Sequence, residues 1–140
     1  MKIIYVQGSL DLLHSGHIKL LERAKTLGDY LIVSVLSDEC YKTYRGYAPV
    51  MPFTERKAVI EALGCVDLVI KGDNTRTEVE LLQYNPDIVV VGSDWAKKDI
   101  YKQYNLSSEW FDDNDIMLVF LPYTENISST KLRKRVCKQL

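Results

Sequence analysis

Residues 3–27 read IIYVQGSLDLLHSGHIKLLERAKTL, and this stretch combines a strand pattern, a short loop and a helix pattern. The run Ile3 to Gln7 is apolar without strict polar alternation, as expected of a strand that is covered on both faces. From His17 to Leu27, apolar residues recur at helical spacing, and Gly28 follows as a candidate C-cap. A buried strand that leads through a loop into an amphipathic helix is the first half of a βαβ unit, so the opening stretch predicts an α/β fold.

The same alternation of apolar runs and amphipathic segments continues through the chain. Four further runs rich in Val and Ile predict buried strands at Tyr30 to Leu36, Leu68 to Lys71, Asp87 to Val91 and Ile116 to Leu121. Helices are predicted at Thr54 to Leu63 with Thr54 as the N-cap, at Thr77 to Tyr84, and at Ser128 to Lys138. We therefore expect one α/β domain over residues 1–140, a doubly wound, five-stranded parallel sheet with helices on both faces.

Two stretches are predicted to be largely irregular. Asp38 to Phe53 is expected to form a loop, and Trp95 to Asp115 is expected to hold a helix through Tyr104 and a polar loop after it. Ligands of an open parallel sheet bind beyond the carboxyl ends of its strands, so the residues that follow each strand are the candidates for function. Gly8 and Gly92 lie at such positions, where glycine allows a ligand to approach the backbone closely.

Composition and charge narrow the class of protein. The 140 residues carry a formal net charge of -1, which favours neither nucleic acid nor an anionic membrane as a partner. The three cysteines are odd in number and widely spaced, so neither a disulfide framework nor a zinc site is indicated. No signal-peptide pattern opens the chain, and no apolar run approaches the ~18 residues of a membrane span. We expect a cytoplasmic protein that binds no nucleic acid and no membrane.

The two histidines of the chain, His14 and His17, stand three residues apart where the first strand passes into the first helix. This spacing places both imidazoles on one face of the helix start, and the same helix end presents free backbone N–H groups that attract phosphate. Two imidazole donors at a helix N-terminus can bind a triphosphate and stabilise the charge of an in-line displacement. The alternatives are a capping or surface pair without a role and a metal pair, although no third ligand supports the latter.

The loop and the last helix together resemble a known family. Residues 8–17, GSLDLLHSGH, are similar to the G-[ST]-F-D-x-x-H-x-G-H motif of the cytidylyltransferase-like nucleotidyltransferases, and residues 127–133, ISSTKLR, are similar to their I-S-[ST]-T-x-[IL]-[RK] motif. Within that family the sequence resembles the bacterial glycerol-3-phosphate cytidylyltransferases over nearly its whole length. The resemblance implies a Rossmann-like fold and the transfer of CMP from CTP to a phosphorylated polyol such as glycerol 3-phosphate, with release of pyrophosphate.

The resemblance also implies roles for individual residues. His14 and His17 would stabilise the pentacoordinate phosphorus as pyrophosphate leaves. The residues expected to bind the nucleotide or its phosphates are Gly8, Ser9, Asp11, Gly16, Lys42, Arg45, Arg56, Gly92, Asp94, Ser128, Ser129, Thr130 and Arg133. Mg²⁺ would be held mainly by the triphosphate, with no protein ligand assigned. A homodimer is expected from the family, and bacterial enzymes of this kind commonly supply wall or capsule synthesis.

Two positions depart from the family pattern. Tyr123 and Gly64 stand where glycerol-3-phosphate cytidylyltransferases usually carry arginines that would contact phosphate or nucleotide. A different polyol phosphate or a sugar phosphate therefore stays open as the acceptor, and so does ATP in place of CTP. The main alternative is an adenylyltransferase that acts on a sugar phosphate or a cofactor precursor. A nucleotide-binding module without catalytic activity is a further alternative, although such a module would be expected to lose a histidine or the Ser/Thr helix start.

Overall fold

The computed structural model describes residues 1–92, 99–122, 124 and 127–140. Its strands are β1 (Ile3–Gly8), β2 (Tyr30–Leu36), β3 (Leu68–Gly72), β4 (Ile88–Gly92) and β5 (Met117–Leu121). Its helices are α1 (Ser15–Thr26), α2 (Asp38–Arg45), α3 (Phe53–Glu61), α4 (Thr77–Tyr84), α5 (Ile100–Tyr104), α6 (Ser108–Asp113) and α7 (Ser129–Gln139), and a 3-10 turn at Asn74–Arg76 precedes α4.

The five strands form one parallel sheet, as the sequence predicts, and their order is β3-β2-β1-β4-β5. β1 is the central strand and pairs with both β2 and β4, for example through Ile4, which lies opposite Leu31 on one side and Ile88 on the other. The direction of winding reverses between β1 and β4, so a crevice opens beyond their carboxyl ends.

Helices cover both faces of this sheet, which confirms the doubly wound architecture. On one face, called here the α1 face, Leu21 and Ala24 of α1 pack with Ile4 and Val6 of β1 and with Ile60 of α3. On the other, the α4 face, the core of α4, α5 and α6 packs against the alternate strand residues: Leu81, Ile100, Tyr104 and Phe111 against Tyr5, Ile32, Val89 and Val91. Residues of β1 therefore alternate between the two faces, as the pleat of a strand requires.

Two helices lie inside stretches that were predicted to be loops. α2 occupies the first half of the predicted 38–53 loop, where the Ser37 hydroxyl accepts a hydrogen bond from the Cys40 N–H and Tyr41 is buried. α6 lies in the polar stretch before β5, where the Ser107 hydroxyl caps the helix and Phe111 is buried. The predictions were wrong because a side-chain cap and one buried aromatic residue stabilise a short helix in an otherwise polar sequence.

Two predicted helix caps also differ from the structure. α3 begins at Phe53 with Pro52 in the N-cap position, so Thr54 lies inside the helix. Leu27, in right-handed conformation, is the C-cap of α1 in place of Gly28. Gly28 meets a packing requirement instead, since a Cβ there would lie 2.7 Å from Ile4 Cδ1 and 2.8 Å from the Lys2 carbonyl oxygen. Within the described ranges, no helix combines the length and apolarity needed to span a bilayer.

Candidate active site

A cavity of about 310 Å³ lies beyond the carboxyl ends of β1 and β4, at the crevice that the topology creates. The structure brings most of the predicted site residues to its wall. These are Gly8, Ser9, His14, His17, Arg45, Gly92, Ser128, Ser129, Thr130 and Arg133. Four others do not line the cavity: Asp11, Gly16, Lys42 and Arg56. Asp94, Trp95 and Tyr123 lie outside the described residues.

The two histidines are held by reciprocal hydrogen bonds at the start of α1. His14 is the N-cap residue, and its Nδ1 accepts a hydrogen bond of 3.0 Å from the Gly16 N–H. The His14 N–H in turn donates to Nδ1 of His17 at 3.2 Å. Because both Nδ1 atoms accept, a neutral imidazole at either position carries its proton on Nε2. Both rings line the cavity, so each side chain offers an Nε2–H donor to a bound ligand.

Both imidazoles are neutral near pH 7. Burial lowers the pKa of His14 below its usual value. Burial, together with the adjacent His14, lowers the pKa of His17 to about 4, although the nearby Asp11 carboxylate opposes the change. The rings stack with their centroids 3.8 Å apart, a distance that disfavours two cations. The pair therefore acts as two uncharged hydrogen-bond donors in the unliganded protein.

Gly16 supports this pair although it lies outside the cavity. A Cβ at position 16 would lie 2.8 Å from Cε1 and 2.9 Å from Nδ1 of His14, closer than packed side chains tolerate. The glycine between the histidines therefore allows the His14 ring to fold back over the first turn of α1 and accept its backbone hydrogen bond.

The start of α7 forms a second site for an anion. The Ser128 hydroxyl accepts a hydrogen bond from the Lys131 N–H at 3.1 Å, so Ser128 caps the helix as predicted. The Ser129 hydroxyl donates to the Asp11 carbonyl oxygen, which ties α7 to the loop between β1 and α1. Ser128, Ser129 and Thr130 line the cavity, so the free N–H groups and the positive dipole end of α7 are placed where a phosphate can bind.

Asp11 joins three parts of the site. Its carboxylate is 1% exposed and accepts hydrogen bonds of 2.9 Å from the N–H groups of both Val50 and Met51. It also accepts from the Arg133 guanidinium, which contacts the Tyr41 hydroxyl as well. Burial raises the pKa of Asp11, but the backbone donors and Arg133 outweigh burial and lower the pKa below its usual value. Asp11 therefore orders the loop, which is one of the two roles expected for it, and its oxygens are engaged by the protein.

Arg56 lies in the interior and does not line the cavity. It is 1% exposed, and its Nη1 donates to the carbonyl oxygens of Ser9 at 2.6 Å and Leu36 at 2.8 Å. Its Nε donates to the Met51 carbonyl oxygen at 2.8 Å and its Nη2 to the Asp38 carboxylate at 2.7 Å. Arg56 was expected to bind the nucleotide, but its guanidinium nitrogens are engaged with acceptors in the β1–α1 loop, β2, α2 and the segment before α3. Arg56 shapes the cavity by holding the backbone at Ser9.

Of the two basic residues of α2, Arg45 lines the cavity and Lys42 does not. Arg45 lines the cavity beside Tyr44, with its guanidinium 5.2 Å from that ring. Lys42, on the same helix, is exposed and lies outside the cavity. Arg133 adds a second guanidinium to the wall, and its buried Nε has no hydrogen-bond partner within the described ranges. The cavity thus offers two arginines, two imidazoles and a helix N-terminus to an anionic ligand.

Several wall residues were not predicted from the sequence. Gln7 on β1, Tyr41 and Tyr44 on α2, and Gln103 and Tyr104 on α5 all line the cavity. Gln7 could have been noticed, since it is a polar residue that ends an otherwise apolar strand. The other four residues have no signal in the local sequence, because their positions depend on how α2 and α5 dock. The sequence did not predict α2 and placed α5 only loosely.

The described residues contain no group of three His, Cys, Asp or Glu side chains that could hold a metal ion. Asp11, the acidic residue nearest to the histidines in sequence, is committed to Val50, Met51 and Arg133. The groups present bind and stabilise negative charge.

Comparison with known proteins agrees with this geometry. The sequence profile of a family described as cytidylyltransferase-like matches residues 5–135. The chain is 37% identical to a glycerol-3-phosphate cytidylyltransferase of Bacillus subtilis, over 97% of this chain and 98% of the relative. It is 38% identical to a bifunctional protein HldE of Streptomyces coelicolor, of which it covers 28%. Among solved structures, a lipopolysaccharide core biosynthesis protein of Thermoplasma volcanium matches with a TM-score of 0.73 and 28% identity, over 91% of this chain and 99% of that one.

Proposed function

The chain belongs to the cytidylyltransferase-like family of nucleotidyltransferases, and from this premise we propose that it transfers CMP from CTP to a phosphorylated polyol. Glycerol 3-phosphate is the leading acceptor, because two glycerol-3-phosphate cytidylyltransferases are 37% and 35% identical to the chain over nearly their full lengths. The products would be a CDP-polyol and pyrophosphate.

The observation that carries this proposal is the position of two Nε2–H donors at the cavity wall, with the α7 N-terminus lining the same cavity. A phosphate oxygen of the acceptor attacks the α-phosphorus of CTP, and the bond from that phosphorus to the bridging oxygen of the β-phosphate breaks. The electron pair leaves with pyrophosphate, so no protein nucleophile is needed. His14 and His17 would donate hydrogen bonds to oxygens on which negative charge accumulates, and a fixed donor of this kind contributes about 2.7–4 kcal/mol.

The other cavity groups would position the reactants. The first N–H groups of α7 and the Arg133 guanidinium would bind the β- and γ-phosphates, and Arg45 on α2 would supply a further cation at the cavity wall. Mg²⁺ would neutralise part of the triphosphate charge and would be held mainly by the triphosphate itself. Holding two anions in line for attack is the main task that this chain performs, since orientation alone accounts for a large part of such rate enhancements.

The second candidate function is adenylyl transfer from ATP to a sugar phosphate. It is favoured by the likeness to a lipopolysaccharide core biosynthesis protein and to the bifunctional protein HldE. Tyr123 stands in place of one expected arginine and lies outside the described residues. Gly64 stands in place of the other, and a Cβ added there would have nothing within 4 Å. The fold and the role of the histidines are the same under both functions, and only the two substrates differ.

The test is pyrophosphate release by the purified protein with Mg²⁺, with CTP and ATP each offered against glycerol 3-phosphate, other polyol phosphates and sugar phosphates. We expect release that requires both CTP and glycerol 3-phosphate. Release only with ATP and a sugar phosphate would establish the second candidate. Binding of nucleotide without release from any pair would contradict both and indicate a non-catalytic module.

The homodimer, the cytoplasmic location and a contribution to wall or capsule synthesis stay predictions. The dimer is tested by sedimentation or light scattering across protein concentration. The pathway depends on the acceptor that the panel identifies.

A further inference from the structure

Gln7 stands at the point where β1 meets the cavity. It precedes Gly8 at the end of the strand, and its side chain both lines the cavity and contacts the α4 face. The Gln7 Nε2 donates hydrogen bonds to the Tyr5 hydroxyl at 2.9 Å, to the Thr77 hydroxyl at 3.2 Å and to the Glu80 carboxylate at 3.4 Å. No described residue donates a hydrogen bond to the Gln7 amide oxygen, Oε1.

The orientation of this amide is set by its neighbours. The Tyr5 hydroxyl donates its hydrogen bond to the Glu80 carboxylate. The Thr77 hydroxyl donates its hydrogen bond to the Asn74 carbonyl oxygen at 3.1 Å. Tyr5 keeps its proton, because burial and then the Glu80 charge raise the pKa of Tyr5 well above its usual value. All of the groups that Nε2 contacts can therefore only accept, and a flip of the amide would place Oε1 against acceptors.

Glu80 is itself anchored on the α4 face. Its carboxylate also accepts from the Ser34 hydroxyl at 2.9 Å and from the Asp73 N–H at 3.2 Å, and Thr77 is fully buried. The network therefore connects β1, β2, α4 and the turn before α4. Moving the Gln7 amide would break its bonds to Tyr5 of β1 and to Thr77 and Glu80 of α4, so Oε1 is a fixed hydrogen-bond acceptor beside the cavity.

The geometry of the reaction indicates which substrate meets this oxygen. In an in-line displacement, the attacking group approaches the phosphorus from the side opposite to the leaving group. The groups suited to the leaving pyrophosphate are the starts of α1 and α7, which are tied together through Asp11 by Ser129 and Arg133. Because α1 packs on the α1 face, the attacking acceptor enters from the α4 face, where Gln7 lies.

We propose that Oε1 of Gln7 accepts a hydrogen bond from a hydroxyl group of the acceptor, so that Gln7 selects a hydroxylated phosphate ester over one without hydroxyls. This inference rests on the proposed function and adds a specificity-determining residue to it. Glu80 is a positioning residue, since it acts by presenting an acceptor to Nε2 and so holds the amide oxygen towards the cavity.

The test compares glycerol 3-phosphate with n-propyl phosphate, which lacks both hydroxyls, as acceptors for wild type, Gln7→Met and Glu80→Gln. If the panel selects another acceptor, that acceptor and its deoxy analogue replace them. We expect Gln7→Met to lower the wild-type preference for the hydroxylated acceptor about tenfold or more, with the KM for the nucleotide within about twofold of wild type. Glu80→Gln should lower the same preference by a smaller factor. Gln83→Met, the same change at an exposed glutamine of α4, should leave it unchanged.

The outcomes separate this inference from the proposed function. If wild type releases pyrophosphate and Gln7→Met melts like wild type yet keeps the full preference, Gln7 does not select the acceptor. A raised nucleotide KM or a changed CTP-to-ATP ratio in Gln7→Met would place the residue at the nucleotide and equally overturn the inference. If Gln7→Met fails to fold, Glu80→Gln decides by the same ratio. A wild type that transfers to no acceptor removes the proposed function, and this inference with it.

Discussion

The backbone N–H of His14 donates to Nδ1 of His17, while Nδ1 of His14 accepts from the Gly16 N–H, so each imidazole is oriented by the helix that it begins. The two hydrogen bonds leave the Nε2–H groups for the cavity and set the tautomer of both rings. The burial that lowers both pKa values keeps the donors uncharged.

Replacement of either histidine is expected to lower turnover without unfolding the chain. His14→Ala and His17→Ala each remove one donor to the transition state, and we expect kcat to fall ~10²- to 10⁴-fold. His14→Ala also removes a helix cap, which should cost about 1 kcal/mol of unfolding free energy. Steady-state kinetics with thermal melting measures both effects, and a folded variant with wild-type kcat would remove the histidines from the mechanism.

Gly16→Ala is expected to disable the site indirectly. The added Cβ would meet the His14 ring at 2.8 Å, so the ring must move and lose its hydrogen bond from the backbone. We expect kcat to fall by a factor approaching that of His14→Ala, about tenfold to a hundredfold, since small displacements of catalytic groups have effects of this size. Gly64→Ala is the matched control, because nothing lies within 4 Å of its added Cβ. Equal kcat values in the two variants would contradict the argument.

His17 should make the stability of the protein depend on pH. Its pKa is about 4 in the folded chain and ~6.5 when unfolded, so the unfolded state binds the additional proton between these values. The contribution is fully present above pH ~6.5 and is lost as the pH falls towards ~4, by on the order of 2–3 kcal/mol. Urea midpoints of wild type and His17→Gln across this range measure it. The wild-type curve should fall more steeply than the variant curve as the pH decreases from ~6.5 to ~4, and parallel curves would show that His17 titrates normally.

Asp11→Asn is expected to destabilise the fold, because Asp11 connects the β1–α1 loop with the Val50–Met51 segment and with α7. The variant leaves the Arg133 guanidinium without its carboxylate and weakens the acceptor for the Val50 and Met51 N–H groups, so unfolding free energy should fall by about 3 kcal/mol. The KM for the nucleotide should rise, because Arg133 lines the cavity. Asp112→Asn on the exposed side of α6 is the control and should change neither quantity. A stable Asp11→Asn with wild-type KM would show that the linkage is dispensable.

The fold was predictable from local patterns. The apolar runs predicted all five strands to within one residue at every end, because a parallel strand buried on both faces is nearly continuous in its hydrophobicity. α2 and α6 were missed for the opposite reason. Their sequences are mostly polar, and the contribution of Tyr41 and Phe111 appears only when the core that receives these rings is known.

The local sequence by itself determined the parallel sheet, the histidine pair at the start of α1 and the Ser/Thr start of α7, since periodicity and capping act between residues a few positions apart. Only the tertiary structure decided which polar groups reach the cavity. Arg45 and Arg133 line it, whereas Arg56 is buried by carbonyl oxygens from the β1–α1 loop, β2 and the segment before α3. The orientation of Gln7 depends on Thr77 and Glu80, some seventy residues away in the chain. These hydrogen bonds exist only after the strand order brings α4 beneath β1, and no pattern of neighbouring residues encodes that contact.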